Sequence, residues 1–372
     1  MIPLDAFSPD YAAARARFRS LMTERGWHHE AIPIEAPGYK RGQLTIDLGR
    51  VGPANAERLL VLSSGLHGTE GFFGSAAQVA WIESLPRSWE PPAGCAVLLV
   101  HALNPHGFAE VSRVNEDRVD LNRNFLAPEE FVRLREITAE RYGPLDPYLN
   151  PPYPPGRLDY FGPLFAWMVL RFGYSTVREV MPAGQYAFPR GIFYGGKQTC
   201  QTTRIMMNET PRWLGDASFI IHLDFHTGLG RFGQLNLLSS EAPDSARLEH
   251  TRRLFGDRVI PDQAVGGGYH NFGDMGEWLG RRFADRAYLY LCAEFGTFGS
   301  TRVIGALRRE NQLRHHSIKG QSAPDWMRQE MREVFCPSSS AWRWSVVHQS
   351  VHLIQDALMI CAEPCRFNTQ MG

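Results

Sequence analysis

Apolar residues in this chain gather into short, nearly uninterrupted runs. "RLLVLSSG" (58–65), "CAVLLVHALNP" (95–105), "SFIIHLDFH" (218–226), "QLNLLSS" (234–240) and "AYLYLCAEFG" (287–296) each read as a strand. A continuous run of this kind suits a strand covered on both faces, where alternation would mark one open to water. Helical spacing intervenes. Tyr11 to Arg25 reads as a helix, and "GFFGSAAQVAWIESL" (71–85) sets Phe72, Ala76, Val79, Ala80 and Ile82 near a 3.6-residue period. "SAWRWSVVHQSVHLIQDALMI" (340–360) reads as an amphipathic helix packed on the domain. Short apolar strands alternating with helices predict an α/β layer fold with a mixed, largely parallel sheet.

Two stretches break the rhythm. "RYGPLDPYLNPPYPPGRLDYFGPL" (141–164) is too rich in proline to be a long helix or a central strand. It belongs to an insertion at about 126–200, expected to cross one face of the sheet and contribute to a pocket wall. "AVGGGYHNFGDMG" (264–276) reads as a mobile, glycine-rich loop. With no internal repeat, residues 1–372 are expected to form one domain.

Composition narrows the partners. Hydrophobic residues make up 44% and charged residues 21%, as in a globular protein, and the net charge is +0. Nothing favours nucleic acid or an anionic membrane electrostatically. No stretch approaches the roughly 20 apolar residues of a membrane span, and "MIPLDAFSPDYAAARARF" has no apolar leader core. The six cysteines show no CxxC spacing, so a reducing, cytoplasmic setting is expected. Oligomeric state leaves no sequence signal.

Candidate chemistry sits at strand ends. In "SSGLHGTEGFFG" (63–74) an apolar run stops and His67 and Glu70 follow within a glycine-flanked turn. Such a turn is either merely polar or half of a metal site; catalytic zinc takes three protein ligands and keeps one position for water. His226, after another apolar run and before glycine, is the candidate third ligand. Two nitrogens and a carboxylate suit zinc, though cobalt, nickel or manganese accept the same donors. "LVHALNPHGFAEVSRVNEDRVDLNRNF" (99–125) brings Asn104, Arg113, Asp120, Asn122, Arg123 and Asn124 into one segment. Arginine's fork matches a carboxylate, so Asn122 and Arg123 can anchor one while Arg113 faces a developing oxyanion. An arginine–carboxylate network with Glu116, Asp117 and Asp120 is the competing account. Glu294 ends the apolar strand 287–296; a carboxylate in such surroundings has a raised pKa and suits a general base, or it serves as a cap or ion-pair partner.

These four segments, in this order, resemble the zinc carboxypeptidase superfamily, which includes carboxypeptidase A and the succinylglutamate desuccinylase/aspartoacylase branch. "HGTE" resembles its HxxE, "NPHG…VDLNRNF" its NPxG…NRN, "DFHTG" its distant zinc histidine and "AEFGTF" its catalytic glutamate. The resemblance runs from about Leu60 to Thr297 and implies a three-layer α/β/α fold and a hydrolase of amide bonds with one zinc ion per chain. By it, His67, Glu70 and His226 bind zinc, Glu294 activates water, and Arg113 holds the oxyanion. Asn122 and Arg123 grip a terminal carboxylate, Asp120 orients His67, and Tyr269 is the nearest match to a loop tyrosine. Arg118 rivals Arg113 by spacing. The proline-rich insertion points to a divergent branch, and no residue stands out as a pocket floor.

Three functions fit: a carboxypeptidase acting on a small peptide, an amidohydrolase deacylating an N-acyl amino acid, and a silent binding protein on the same fold. His348, His352 and Gln355 form a solvated stripe, His315 and His316 lie in an arginine-rich stretch, and His222 reads as a core histidine. Asp224 is placed to orient an arginine or a ligand. GxSxG and Walker motifs are absent.

Overall fold

The computed structural model describes residues 4–37, 39–156, 161–262, 271–316 and 324–363. Eight strands form one mixed sheet: β1 (His28–Ile34), β2 (Leu44–Val51), β3 (Arg58–Ser64), β4 (Cys95–His101), β5 (Phe219–Gly228), β6 (Leu235–Ser239), β7 (Val259–Pro261) and β8 (Ala287–Gly296). Their order is β1-β2-β4-β3-β5-β8-β6-β7. The centre, β4-β3-β5-β8, is parallel throughout, and antiparallel pairs join it to β2 on one side and β6 on the other. The expected mixed, largely parallel sheet is therefore present, and its parallel core is built from the continuous apolar runs.

Helices cover both faces. Phe73, on the Gly71–Ser84 helix, meets Phe225 of β5 and Trp342 of the Ser340–Ala362 helix at ring separations of 6.1 and 5.8 Å. On the opposite face the Met275–Arg282 helix packs so closely that a Cβ on Gly276 would lie 2.3 Å from the Tyr290 ring. The Tyr11–Arg25 helix has the predicted bounds: Asp10 caps its start by accepting from the Ala13 N–H at 2.8 Å, and Gly26 ends it at φ 64°. Among the described residues no helix is long and apolar enough to cross a membrane.

β1 and β2 carry no continuous apolar run and were not among the predicted strands. Only Ile34 of β1 is buried, and β2 buries Thr45 and Asp47 beside its aliphatic residues. The insertion is more helical than its composition suggests, with helices at Pro128–Tyr142, Phe161–Phe172 and Tyr174–Val180. Its proline-rich middle behaves as expected: the first helix stops at Tyr142 and only one turn, Asp146–Leu149, forms before Pro151. Residues 263–270, most of the glycine-rich loop, lie outside the described residues.

Candidate metal centre

The sheet register sets the site. β5 pairs in parallel with β3 and β8, placing Ser63 beside Asp224 and His226 beside Glu294. Side chains two apart on a strand share a face, so Asp224 and His226 of β5 project with Tyr290, Cys292 and Glu294 of β8. His67 follows the end of β3 and opens a single 3-10 turn, Gly68–Glu70. That turn lies directly on the short Pro105–Glu110 helix. A Cβ on Gly68 would fall 2.1 Å from the Gly107 carbonyl carbon, so the approach requires glycine. The N–H groups of Gly68 and Thr69 donate to the carbonyls of Arg113 and Ser112 at 3.2 and 2.8 Å. The "HGTE" and "NPHG…SR" segments are thereby locked together.

His67, Glu70 and His226 converge, with one ligand atom from each within 4.8 Å of the others. Nδ1 of His67 lies 2.9 Å from Glu70 Oε1, and Nδ1 of His226 lies 3.0 Å from Oε2. The outer nitrogens face acids: His226 Nε2 is 2.6 Å from Asp224 Oδ2, and His67 Nε2 is 3.2 Å from Asp120 Oδ1. The second contact is off the line of a hydrogen bond, leaving Nε2 of His67 buried without an aligned partner among the described residues. Asp224 is itself held, accepting from Ser63 Oγ at 2.5 Å and from the Tyr290 hydroxyl at 3.0 Å. His222 lies between Ser63 Oγ and the Tyr288 hydroxyl at 2.7 and 2.9 Å, a fully partnered core histidine.

Charge follows from this packing. Burial alone would raise the Glu70 pKa, but His67 and His226 outweigh it and hold the carboxyl well below the usual range. Burial likewise opposes Asp120 and Asp224, which Arg113 and His226 respectively keep low. Glu294 goes the other way: burial, with the charge of Glu70 added, pushes it up to about 8. Its Oε1 accepts from the Leu229 N–H at 2.7 Å. Two imidazole nitrogens flanking an ionised carboxylate, each ring backed by an acid, fit the donor set and outer partners of a bound zinc ion.

One pocket is lined by this triad together with Arg113, Asn122, Arg123 and Glu294. Arg113 Nε bonds Asp120 Oδ2 at 2.9 Å, its Nη1 stands 3.6 Å from Glu70, and its guanidinium lies 5.4 Å from the Phe193 ring centre. Arg118, its rival by spacing, is exposed and bonded to His315 instead. Arg123 is buried, yet its donors reach only carbonyls: Pro182 at 2.7 Å and Asn122 at 2.7 Å. No carboxylate of the described residues lies within ion-pair distance of it. Asn122 accepts from the Met275 N–H at 2.9 Å. Pro182 and Phe193 bring the insertion into the pocket wall. Tyr269 lies outside the described residues. Sequence reasoning did not find Asp262, Asp274 or Cys292, which share the pocket.

An α/β protein with a buried His–Glu–His cluster and a strand-end glutamate in one pocket is the class these observations define. Residues 7–349 match the family described as protein of unknown function (DUF2817), and the chain belongs to that family. No curated protein matches it. Solved structures of similar outline include an inferred metallopeptidase from Shewanella amazonensis: 14% identity, TM-score 0.44, covering 82% of this chain and 92% of that one. An inferred carboxypeptidase from Burkholderia mallei shares 11% at TM-score 0.48, over 94% of this chain and 68% of that one. Carboxypeptidase A from Helicoverpa armigera shares 11% at TM-score 0.42, over 87% and 72%.

Proposed function

We propose that this protein is a zinc-dependent hydrolase that cuts an amide bond next to a free carboxylate, in the manner of a metallocarboxypeptidase. One observation carries the reading. The Nδ1 atoms of His67 and His226 face the two oxygens of Glu70 in the same pocket as Glu294. When bound by His67, Glu70 and His226, zinc would supply an acidified water and a Lewis acid for the carbonyl. Glu294, raised by burial, takes a proton from the attacking water and returns it to the departing amine as the C–N bond breaks. Arg113 offers its guanidinium to the oxygen on which charge develops. Arg123, a buried cation with no carboxylate partner among the described residues, receives the substrate's terminal carboxylate, with Asn122 beside it. Asp224 fixes the ring orientation of His226 at 2.6 Å, and the charge of Asp120 stands behind His67. A released amino acid fits this arrangement whether the acyl side is a peptide or a simple acyl group.

The test is metal content. Protein purified without added metal or nickel resin should carry about one zinc per chain, and His67→Ala/His226→Ala should carry none. A wild-type protein that takes up no zinc on titration would sink the hydrolase reading.

A further inference from the structure

Beyond the metal triad, the pocket wall changes character. Asp262, the residue after β7, and Asp274, the cap of the Met275–Arg282 helix, line it together with Leu238 and Tyr290. Asp274 is 7% exposed and uses Oδ1 to accept from the Glu277 N–H at 3.0 Å. Asp262 is half-buried as a residue, but its Oδ1 is out of reach of solvent and meets no donor among the described residues. No lysine or arginine among them lies within ion-pair distance of either carboxylate. Burial and the neighbouring Asp274 raise the Asp262 carboxyl to about 7, the mark of an acid short of a cation.

The placement matters because Arg123 lines the same pocket. Resting on the hydrolase reading, a substrate with its carboxylate on Arg123 and its scissile carbonyl by Glu294 has its side chain left to fill the remaining space. An apolar side chain there would bury the Asp262 oxygen unpaired, which is costly; a cationic one would satisfy it. We propose that Asp262, supported by Asp274, receives a cationic group on the amino acid that is released, so that the preferred substrates end in a basic residue or are N-acylated basic amino acids.

The experiment is a substrate series, benzoyl-Gly-Xaa with Xaa lysine, arginine, norleucine or phenylalanine, run on the zinc-loaded wild type and on Asp262→Asn and Asp262→Glu. Norleucine is lysine without its amine, so the pair isolates the charge. The expected kcat/KM ratio of lysine over norleucine is about 10²-fold or more in the wild type, collapsing in Asp262→Asn and largely kept in Asp262→Glu. Calorimetric binding of free L-lysine against L-norleucine supplies a readout that needs no turnover. Lysine preference in binding, lost in Asp262→Asn, without cleavage of any peptide or N-acyl substrate, would remove the hydrolase reading and leave the cation subsite standing. Equal handling of lysine and norleucine in both assays would overturn the proposal, as would a preference that survives in a folded Asp262→Asn protein.

Discussion

Asp47 and Glu70 are both buried carboxylates surrounded by basic groups, on opposite flanks of β3. Asp47, on the antiparallel side, receives Arg19 Nε at 2.5 Å, Thr45 Oγ1 at 2.6 Å and His29 Nε2 at 2.9 Å, with Arg15 at 3.6 Å. Glu70 receives two imidazole Nδ1 atoms and the Thr227 N–H at 3.1 Å, with Arg113 more distant. Partner chemistry separates them. Asp47 has a single imidazole, His29, and its other partners are two arginines, which have no lone pair to offer, and Thr45, whose hydroxyl already accepts from both of them. A neutral imidazole turns a lone pair inward, so the Glu70 cluster can trade its protons for a metal ion. Burial and charge density alone would not have told a structural ion cluster from a candidate metal centre; two imidazoles converging on one carboxylate, against one imidazole among arginines, do.

The contrast breaks most visibly at Glu294. Changing Glu294→Gln keeps an oxygen to accept from the Leu229 N–H but removes the base. Turnover should fall by about 10²–10⁴-fold, with zinc content and the urea midpoint close to wild type. A fall in zinc content of the same order would place Glu294 among the ligands and refute its assignment as base.

Acid should then strike the β2–β4 side. His101 is buried, stacked on Phe18 at 4.7 Å with its Nε2 2.9 Å from Ser75 Oγ. Burial, only partly opposed by Asp47, lowers its pKa from 6.5 to about 4. Between those values the unfolded chain binds a proton that the folded chain refuses, so stability rises with pH across that window. The contribution is fully present above 6.5 and is lost as pH falls toward about 4, a change on the order of 3 kcal/mol. Urea unfolding of wild type and His101→Gln from pH 7.5 to 4.5 measures it as the difference between the two curves. Parallel curves would show that His101 titrates normally.

The same contrast explains what could be read without coordinates. β3, β4, β5 and β8 were legible because a strand covered on both faces must be apolar without interruption. His67, Glu70, His226 and Glu294 were legible because each stands where such a run meets glycine. β1 and β2 were not, since the flank that buries Thr45 and Asp47 between its aliphatic residues has no continuous apolar run. Asp262 and Asp274 escaped for another reason. β7 has three residues, too few for a pattern, and the two acids meet through the packing of a helix on β8. Arg123 was legible in "VDLNRNF", but that its guanidinium rests on the Pro182 carbonyl, 59 residues away in sequence, was not.

The smallest effect expected is at Asp224, and it tests whether backing acids do more than fill space. Asp224→Asn keeps size and can still bond Ser63 and Tyr290, but it no longer places a negative charge 2.6 Å from His226 Nε2. Metal-bound imidazoles depend on such partners for orientation and basicity, so zinc affinity should drop by about 10–100-fold, read by competition with a chelator. Asp47→Asn makes the identical chemical change at the arginine cluster. It should lower the urea midpoint, because it leaves Arg19 and Arg15 with less charge to face, and leave zinc affinity where it was. If both substitutions shifted zinc affinity equally, Asp224 would be acting through general loosening of the sheet. If neither did, the geometry of Glu70 and the two histidines would be fixed by the β3 turn and β5 register alone.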